Sequence, residues 1–164
     1  MRISIVVPVY NEVENLEQLH QAVHSALDAQ THLEWELILV DDGSTDGSAE
    51  ALLTLAADDP GLTILMLPEN RGKGAAVLEG ITRAVAAGFT HALTMDSDGQ
   101  HPADLIPAFM RASQATPEAM VLGKPVFDAD APALRVNGRK VSNGWANLET
   151  LWMGIGDSLY GFRV

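Results

Sequence analysis

Three features of the sequence predict an α/β domain with a mainly parallel sheet and helices on both faces. Short β-rich runs alternate with stretches of helical period roughly 10–15 residues long, the pattern of strand–helix–strand units. The first run, Ile3–Val9, is almost continuously apolar, as a strand buried on both faces must be. Each of the first four runs also ends in a cluster of polar residues and glycine or asparagine, and the carboxyl ends of parallel strands are where such sheets bind ligands.

The elements follow in order. After Ile3–Val9, Asn11 is placed to cap a helix, with Glu14 three residues later as in a capping box. Val13, Leu16, Leu19, Val23 and Leu27 recur at three- and four-residue spacing and predict one buried stripe. Trp35–Val40 reads as a second strand, and Ser44 to Asp46 offer caps for a second helix with a stripe of Ala49, Leu52, Leu53 and Ala56. Leu62–Leu67 is a third strand; Leu78, Ile81 and Val85 mark a third helix stopping near Gly88. Ala92–Met95 is a fourth strand. A short helix through Leu105, Phe109 and Met110 follows, its start bounded by Pro102 and Pro107, and Met120–Leu122 reads as a fifth strand. Residues 124–140, with Lys124, Arg135, Arg139 and Lys140 among prolines and glycine, read as a long basic loop. Val141, Trp145, Leu148 and Trp152 then predict an amphipathic helix ended by Gly154 or Gly156, and the sequence finishes as though cut inside an element.

Composition narrows the function. An apolar fraction of 47% excludes a disordered chain, and no run approaches the ~18 apolar residues of a membrane span. The absence of cysteine excludes disulfides, a thiolate zinc site and a cysteine nucleophile. Met1–Tyr10 lacks a signal-peptide layout, which makes the cytoplasm the expected compartment. The net charge of −12 argues against nucleic acid as a partner. That charge is uneven: residues 1–70 hold 13 of the 22 acids and only Arg2 as a base, while the remainder is balanced.

Four clusters share the carboxyl edge of the expected sheet: Tyr10-Asn11-Glu12, Asp41-Asp42-Gly43-Ser44, Asn70-Arg71-Gly72-Lys73 and Asp96-Ser97-Asp98-Gly99-Gln100. Asp96 and Asp98, with Gln100 at the same spacing, offer the oxygen ligands that Mg²⁺ or Mn²⁺ takes beside substrate phosphates; alone, the same residues also make an ordinary Asx-stabilised turn. His101, beside a proline, reads more readily as a solvated loop residue than as a further ligand. Carboxylates at Asp41 and Asp42 can accept hydrogen bonds from a base or ribose, with Gly43 letting a ligand approach the backbone. Arg71 and Lys73 at a helix start suit diphosphate oxygens. The P-loop spacing is absent, and no G-x-G-x-x-G follows the first run.

Taken in order, Pro8-Val9-Tyr10-Asn11-Glu12, Asp41-Asp42-Gly43-Ser44-Thr45-Asp46, Asn70-Arg71-Gly72-Lys73-Gly74 and Asp96-Ser97-Asp98-Gly99-Gln100 resemble glycosyltransferase family 2, the inverting, nucleotide-sugar-dependent enzymes of the GT-A fold. Asp157-Ser158-Leu159-Tyr160-Gly161-Phe162-Arg163 is similar to a segment of the dolichyl- and polyprenyl-phosphate branch, although Tyr160 departs from the small residue usual there. The resemblance implies one GT-A domain over 1–164, truncated at its C-terminus, with residues 1–123 binding the nucleotide sugar and 124–164 forming an acceptor-side loop and helix. It implies that Pro8, Tyr10, Glu12 and Asp41 line the nucleoside pocket, and that Asp96, Asp98 and Gln100 hold Mg²⁺ or Mn²⁺ on the diphosphate of a UDP- or GDP-sugar. Asp42, Arg71 and Lys73 complete the expected donor site. Arg163 and the basic loop suit an anionic acceptor such as a lipid phosphate, which would place the protein peripherally at the inner face of the membrane; the same charges fit a solvated loop equally well. Asp157 is the one late candidate for a catalytic carboxylate, an orienting role being as consistent. The alternative is a truncated domain that binds the nucleotide sugar without transferring it. A haloacid-dehalogenase-type phosphohydrolase, suggested by Asp96-Ser97-Asp98-Gly99, fails because its loop opens the chain and is followed by threonine, where this sequence has Gln100.

Overall fold

The computed structural model describes residues 1–123 and 162–164. Four parallel strands, β1 (Arg2–Val9), β2 (Glu34–Asp41), β3 (Leu62–Met66) and β4 (His91–Thr94), form a sheet of order β3-β2-β1-β4. The helices between them are α1 (Leu16–Leu27), α2 (Ser48–Asp58) and α3 (Lys73–Ala86), and α4 (Ile106–Ala115) follows β4. The order reverses after β3, because α3 carries the chain back across β2 and β1 to lay β4 on the far side of β1. The crevice at such a reversal is where open α/β sheets bind ligands, and it lies between the ends of β1 and β4. The α/β class, the parallel sheet and its helices on both faces are as the sequence predicts.

Alternation along β1 and β2 divides the core. Ile3, Ile5, Val7, Val9, Leu37 and Leu39 pack with Leu16, Leu19, Val23, Leu27, Leu52, Ile106 and Met110 from α1, α2 and α4. Val6, Ile38 and Val40 face the other way, onto Ala76 and Ala84 of α3. The basic loop over 124–140, the helix expected from Val141 to Trp152 and Asp157 lie outside the described residues. Phe162 returns to the core, stacked on His101 and packed on Phe109.

Several local expectations are corrected. Asn11 does not cap the first helix: a 3-10 turn, Val13–Asn15, intervenes, and Val13 is exposed. In α2, Leu53 faces solvent while Leu52 and Ser48 are buried. In α3 the larger residues Leu78 and Val85 are exposed, and the buried row is Ala76, Gly80 and Ala84. Small residues win there because the helix lies so close to the sheet that a β-carbon at Gly80 would collide with Val6 Cγ1 and crowd Val40 Cγ2 at 3.2 Å. Leu105 is exposed in a short 3-10 turn, and Ile106, Met110 and Ser113 supply the buried face of α4. Met120–Leu122 does not join the parallel ladder. It pairs antiparallel with the segment around Arg163, which in turn bridges Thr94.

The close α3–sheet contact makes Gly80→Ala a test of packing. Overpacking by one methyl costs about 1–3 kcal/mol, and the better helix propensity of alanine returns under about 1 kcal/mol. The expected result in urea unfolding is a net loss of about 1–2 kcal/mol with an unchanged m-value.

Candidate nucleotide and metal site

The loops at the carboxyl edge are tied together mostly by carboxylates that accept backbone hydrogen bonds. Asp42, at the end of β2, is buried and accepts from the amides of Arg71 and Gly72, each at 2.8 Å. This clamp fixes the chain entering α3. Gly43 takes φ +71°, and a β-carbon there would sit 2.7 Å from Asn70 N and from the carbonyl carbon of Glu69. The space at Gly43, expected to admit a ligand, is taken by the Glu69–Asn70 backbone.

The turn after β1 is held by the loop after β2. Asn11 adopts φ 55°, and its side-chain oxygen accepts from the amide of Thr45 at 2.8 Å, while its own amide donates to Ser44 Oγ at 3.0 Å. Asp46 accepts from the Val13 amide at 3.1 Å and from both the amide and hydroxyl of Ser48, at 3.0 and 2.6 Å. Asp46 therefore serves the start of α2, whose N-cap position is occupied by Gly47. The Glu12 amide donates to Ser48 Oγ, and the Glu12 carboxylate accepts from Asn15 Nδ2 at 2.5 Å.

After β4, Asp96 meets the N-terminus of α3. The Lys73 ammonium is the ion-pair partner of Asp96 Oδ1, a buried atom with no directed hydrogen bond. His101, expected in solvent, is buried; its Nδ1 accepts the Asp96 amide at 2.7 Å, so a neutral ring carries its proton on Nε2, 3.9 Å from Asp96 Oδ2. His101 thus shapes the strand end that carries the two aspartates. Asp98 is exposed and accepts the Gln100 amide at 3.0 Å.

Pro8, Tyr10, Glu12, Asp42, Lys73, Asp96 and Asp98 line one cavity of about 300 Å³, together with Asn70 and Ser97, members of the same polar clusters to which the sequence assigns no role of their own. Asp41 is buried and is not among the cavity's lining residues; its Oδ2 accepts the Ser44 amide, and its Oδ1 meets no donor among the described residues. Arg71 and Gln100 are exposed and are not among the cavity's lining residues. Arg163 lines an adjacent, more apolar cavity of about 570 Å³ that shares Lys73 and Asp96 with the first. Two carboxylates from one strand end, one already facing a cation, are the hard oxygen donors a divalent ion such as Mg²⁺ or Mn²⁺ takes, so the residues present fit such an ion. The amino end of α3 faces the same space and favours anions.

Two predictions follow from the clamps. Asp42→Ala removes the acceptor from the partly exposed Arg71 and Gly72 amides, which costs about 1–2 kcal/mol and accelerates hydrogen exchange at those two residues well beyond the rest of α3. The Ser48 hydroxyl, ahead of the opposing effect of burial and with the Val13 and Ser48 amides in support, holds the Asp46 carboxyl below its ordinary 3.8. Because the folded-state value is depressed, the stabilisation is present above about pH 4 and is lost as pH falls through the folded value. Asp46→Asn should therefore lower Tm at pH 6, with the gap to the wild type closing as the pH approaches 3.

The model of the family described as Glycosyl transferase family 2 matches residues 4–158. The undecaprenyl-phosphate 4-deoxy-4-formamido-L-arabinose transferase of Pectobacterium carotovorum is 44% identical over 107 residues, covering 64% of this chain and 31% of that protein. The enzyme of the same name from Pectobacterium atrosepticum is 43% identical over 115 residues, covering 68% and 34%. The chain thus spans about a third of the length of these curated relatives. Among solved structures, a mannosyltransferase from Pyrobaculum calidifontis in complex with GDP-Man and Mn²⁺ superposes with a TM-score of 0.53 at 29% identity, over 65% of this chain and 30% of that one. TarS from S. aureus, in complex with UDP, superposes at 0.59 with 21% identity over 79% and 39%, and so speaks to the fold alone.

Proposed function

The chain belongs to glycosyl transferase family 2, and from that premise we propose that it is an inverting, metal-dependent transferase that moves a sugar from a nucleotide-sugar donor to a polyprenyl phosphate. The observation that carries the reading is the single cavity in which Asp96 and Asp98 stand opposite Tyr10 and Glu12, beside Lys73 at the start of α3. The relatives named as undecaprenyl-phosphate transferases support the acceptor class, and the GDP-Man and Mn²⁺ of the mannosyltransferase support the donor class and the metal.

In this reading Pro8, Tyr10 and Glu12 bind the nucleoside, and Asp41, whose buried Oδ1 meets no donor among the described residues, accepts a hydrogen bond from the base or ribose as the ligand seats. Asp96 and Asp98, with Gln100, hold Mg²⁺ or Mn²⁺, which when bound neutralises charge on the departing diphosphate. Lys73 leaves Asp96 for a diphosphate oxygen, aided by Arg71 and the helix end, while Asp42 keeps that helix end in place. The apolar cavity beside Arg163 receives the acceptor, its phosphate toward Arg163 and its hydrocarbon along Val77, Ile81 and Met120. A phosphate acceptor is anionic at neutral pH and attacks the anomeric carbon directly without a general base; Asp157 then orients substrate rather than removing a proton. Residues 1–123 supply the donor site and one wall of the acceptor cavity, and 124–164 belong to the acceptor side. Among the described residues no helix is long and apolar enough to cross a membrane, and the lipid acceptor places the reaction at the membrane's inner face.

The share of the relatives that the chain spans favours a second reading, donor binding without transfer. One set of measurements separates them. With Mn²⁺ present, either UDP or GDP should raise Tm clearly above the other, and EDTA or Asp98→Asn should remove that increment. Under the first reading undecaprenyl phosphate supports turnover, which Asp98→Asn lowers about a hundredfold or more. Metal-dependent nucleotide binding with no turnover favours the second, and binding indifferent to EDTA sinks the metal assignment.

A further inference from the structure

A second cluster of metal-ligating side chains lies at the other edge of the sheet. His20 and His24 are one turn apart on α1 and face the same side. Asp59, just after α2 and three residues before β3 begins, places Oδ2 2.9 Å from Nε2 of both imidazoles. Its Oδ1 accepts the Gly61 amide at 2.8 Å, which fixes the carboxylate's orientation. His24 Nδ1 lies 3.4 Å from Asp28 Oδ1, and Trp35 packs edge-on against the same ring at 4.9 Å between centroids. The two imidazoles lie 4.4 Å apart. All three ligand-bearing side chains are mostly shielded, yet none is closed off from solvent.

A neutral imidazole carries one proton. If His24 donates from Nε2 to Asp59, its Nδ1 is a lone pair turned toward the Asp28 carboxylate, which also offers only lone pairs. The contact with Asp28 is favourable when His24 carries a proton on Nδ1, and Nε2 then holds either a second proton, as imidazolium, or a metal ion. A transition-metal ion between His20 Nε2, His24 Nε2 and Asp59 Oδ2 satisfies those three atoms, with Asp28 receiving the His24 Nδ1 proton as carboxylates do behind metal-bound histidines. Neighbouring donors in a tetrahedral zinc site lie about 3.3 Å apart, so the two 2.9 Å separations would open by only a few tenths of an ångström.

We propose that His20, His24 and Asp59 form a zinc-binding site, completed by solvent, that clips α1 to the turn between α2 and β3. Imidazole nitrogen suits Zn²⁺ where Mg²⁺ prefers oxygen, so this site and the carboxylates at the opposite edge take different ions. Its place at the amino ends of the strands makes it a stabilising element independent of the transfer reaction.

The test uses the 164-residue chain without a histidine tag, in excess Mg²⁺ to occupy oxygen-only sites. One equivalent of Zn²⁺ should be taken up in competition with a chromophoric chelator, and Co²⁺ should give the intense visible absorption of a four-coordinate ion. A free Zn²⁺ concentration a hundredfold above Kd should raise Tm by about 5–10 °C. His20→Gln with His24→Gln should abolish uptake and the Tm rise. Should that double variant fold poorly, Asp28→Asn leaves all three ligands in place and is expected to weaken Zn²⁺ about tenfold. Absence of stoichiometric uptake by the wild-type chain, or affinity unchanged in both variants, overturns the proposal.

Discussion

The carboxylate of Asp42 between the amides of Arg71 and Gly72 is the interaction on which the carboxyl edge depends. It joins the end of a central strand to the first turn of α3, two elements separated by the whole of α2 and β3. With both oxygens engaged and the side chain buried, the helix start has little freedom to move relative to the strand. Lys73 is the next residue, so its ammonium faces Asp96 by consequence. Gly43 is the partner of this clamp in a steric sense, since no side chain fits where the Glu69–Asn70 backbone crosses. A charge-assisted hydrogen bond is strongest where water is excluded, which is why the burial of Asp42 matters as much as its geometry.

That arrangement explains which parts of the molecule the sequence discloses. The strands are legible because burial on both faces demands unbroken apolar runs, and the helices because their period differs from that of strands. The faces of α2 and α3 are misread where periodicity is judged by size. Leu78 and Val85 carry the hydrophobic signal, yet the sheet accepts only Ala76, Gly80 and Ala84 at its closest approach. A glycine in the middle of a helix, four residues from an alanine on either side, was the available clue.

The polar clusters are legible as a group, because topology sends every strand end to one edge. Their division of labour is not. Asp42 looks like a ligand in the sequence and acts in the fold as an acceptor for backbone amides, whereas Asp46 serves the start of α2 as its capping position predicts, and His101 looks solvated and is a buried acceptor. Local spacing cannot say whether a carboxylate will meet a ligand or an orphan N–H, since the partner comes from a loop some thirty residues away. The same distance hid Asp59 from His20 and His24, although an i, i+4 histidine pair was visible on α1.

The acid excess of residues 1–70 acquires a physical meaning from these contacts. Asp41, Asp42 and Asp46 are not spread as a repulsive surface; each accepts at least one backbone N–H, and Asp59 sits between two imidazoles and an amide. Carboxylates engaged in this way hold loops in place in a fold whose glycine-bearing turns have few apolar anchors. Asp41 and Asp42, with Asp96 and Asp98, also concentrate negative charge at the carboxyl edge of the sheet. An anion entering such a place requires compensating positive charge, and Lys73 with the amino end of α3 is where the chain supplies it. Because Lys73 pairs with Asp96 beforehand, its charge is neutralised until something competes for it. A divalent cation at Asp96 and Asp98 would release the ammonium toward phosphate, so cation and nucleotide should bind with positive coupling, each raising the affinity for the other by the same factor.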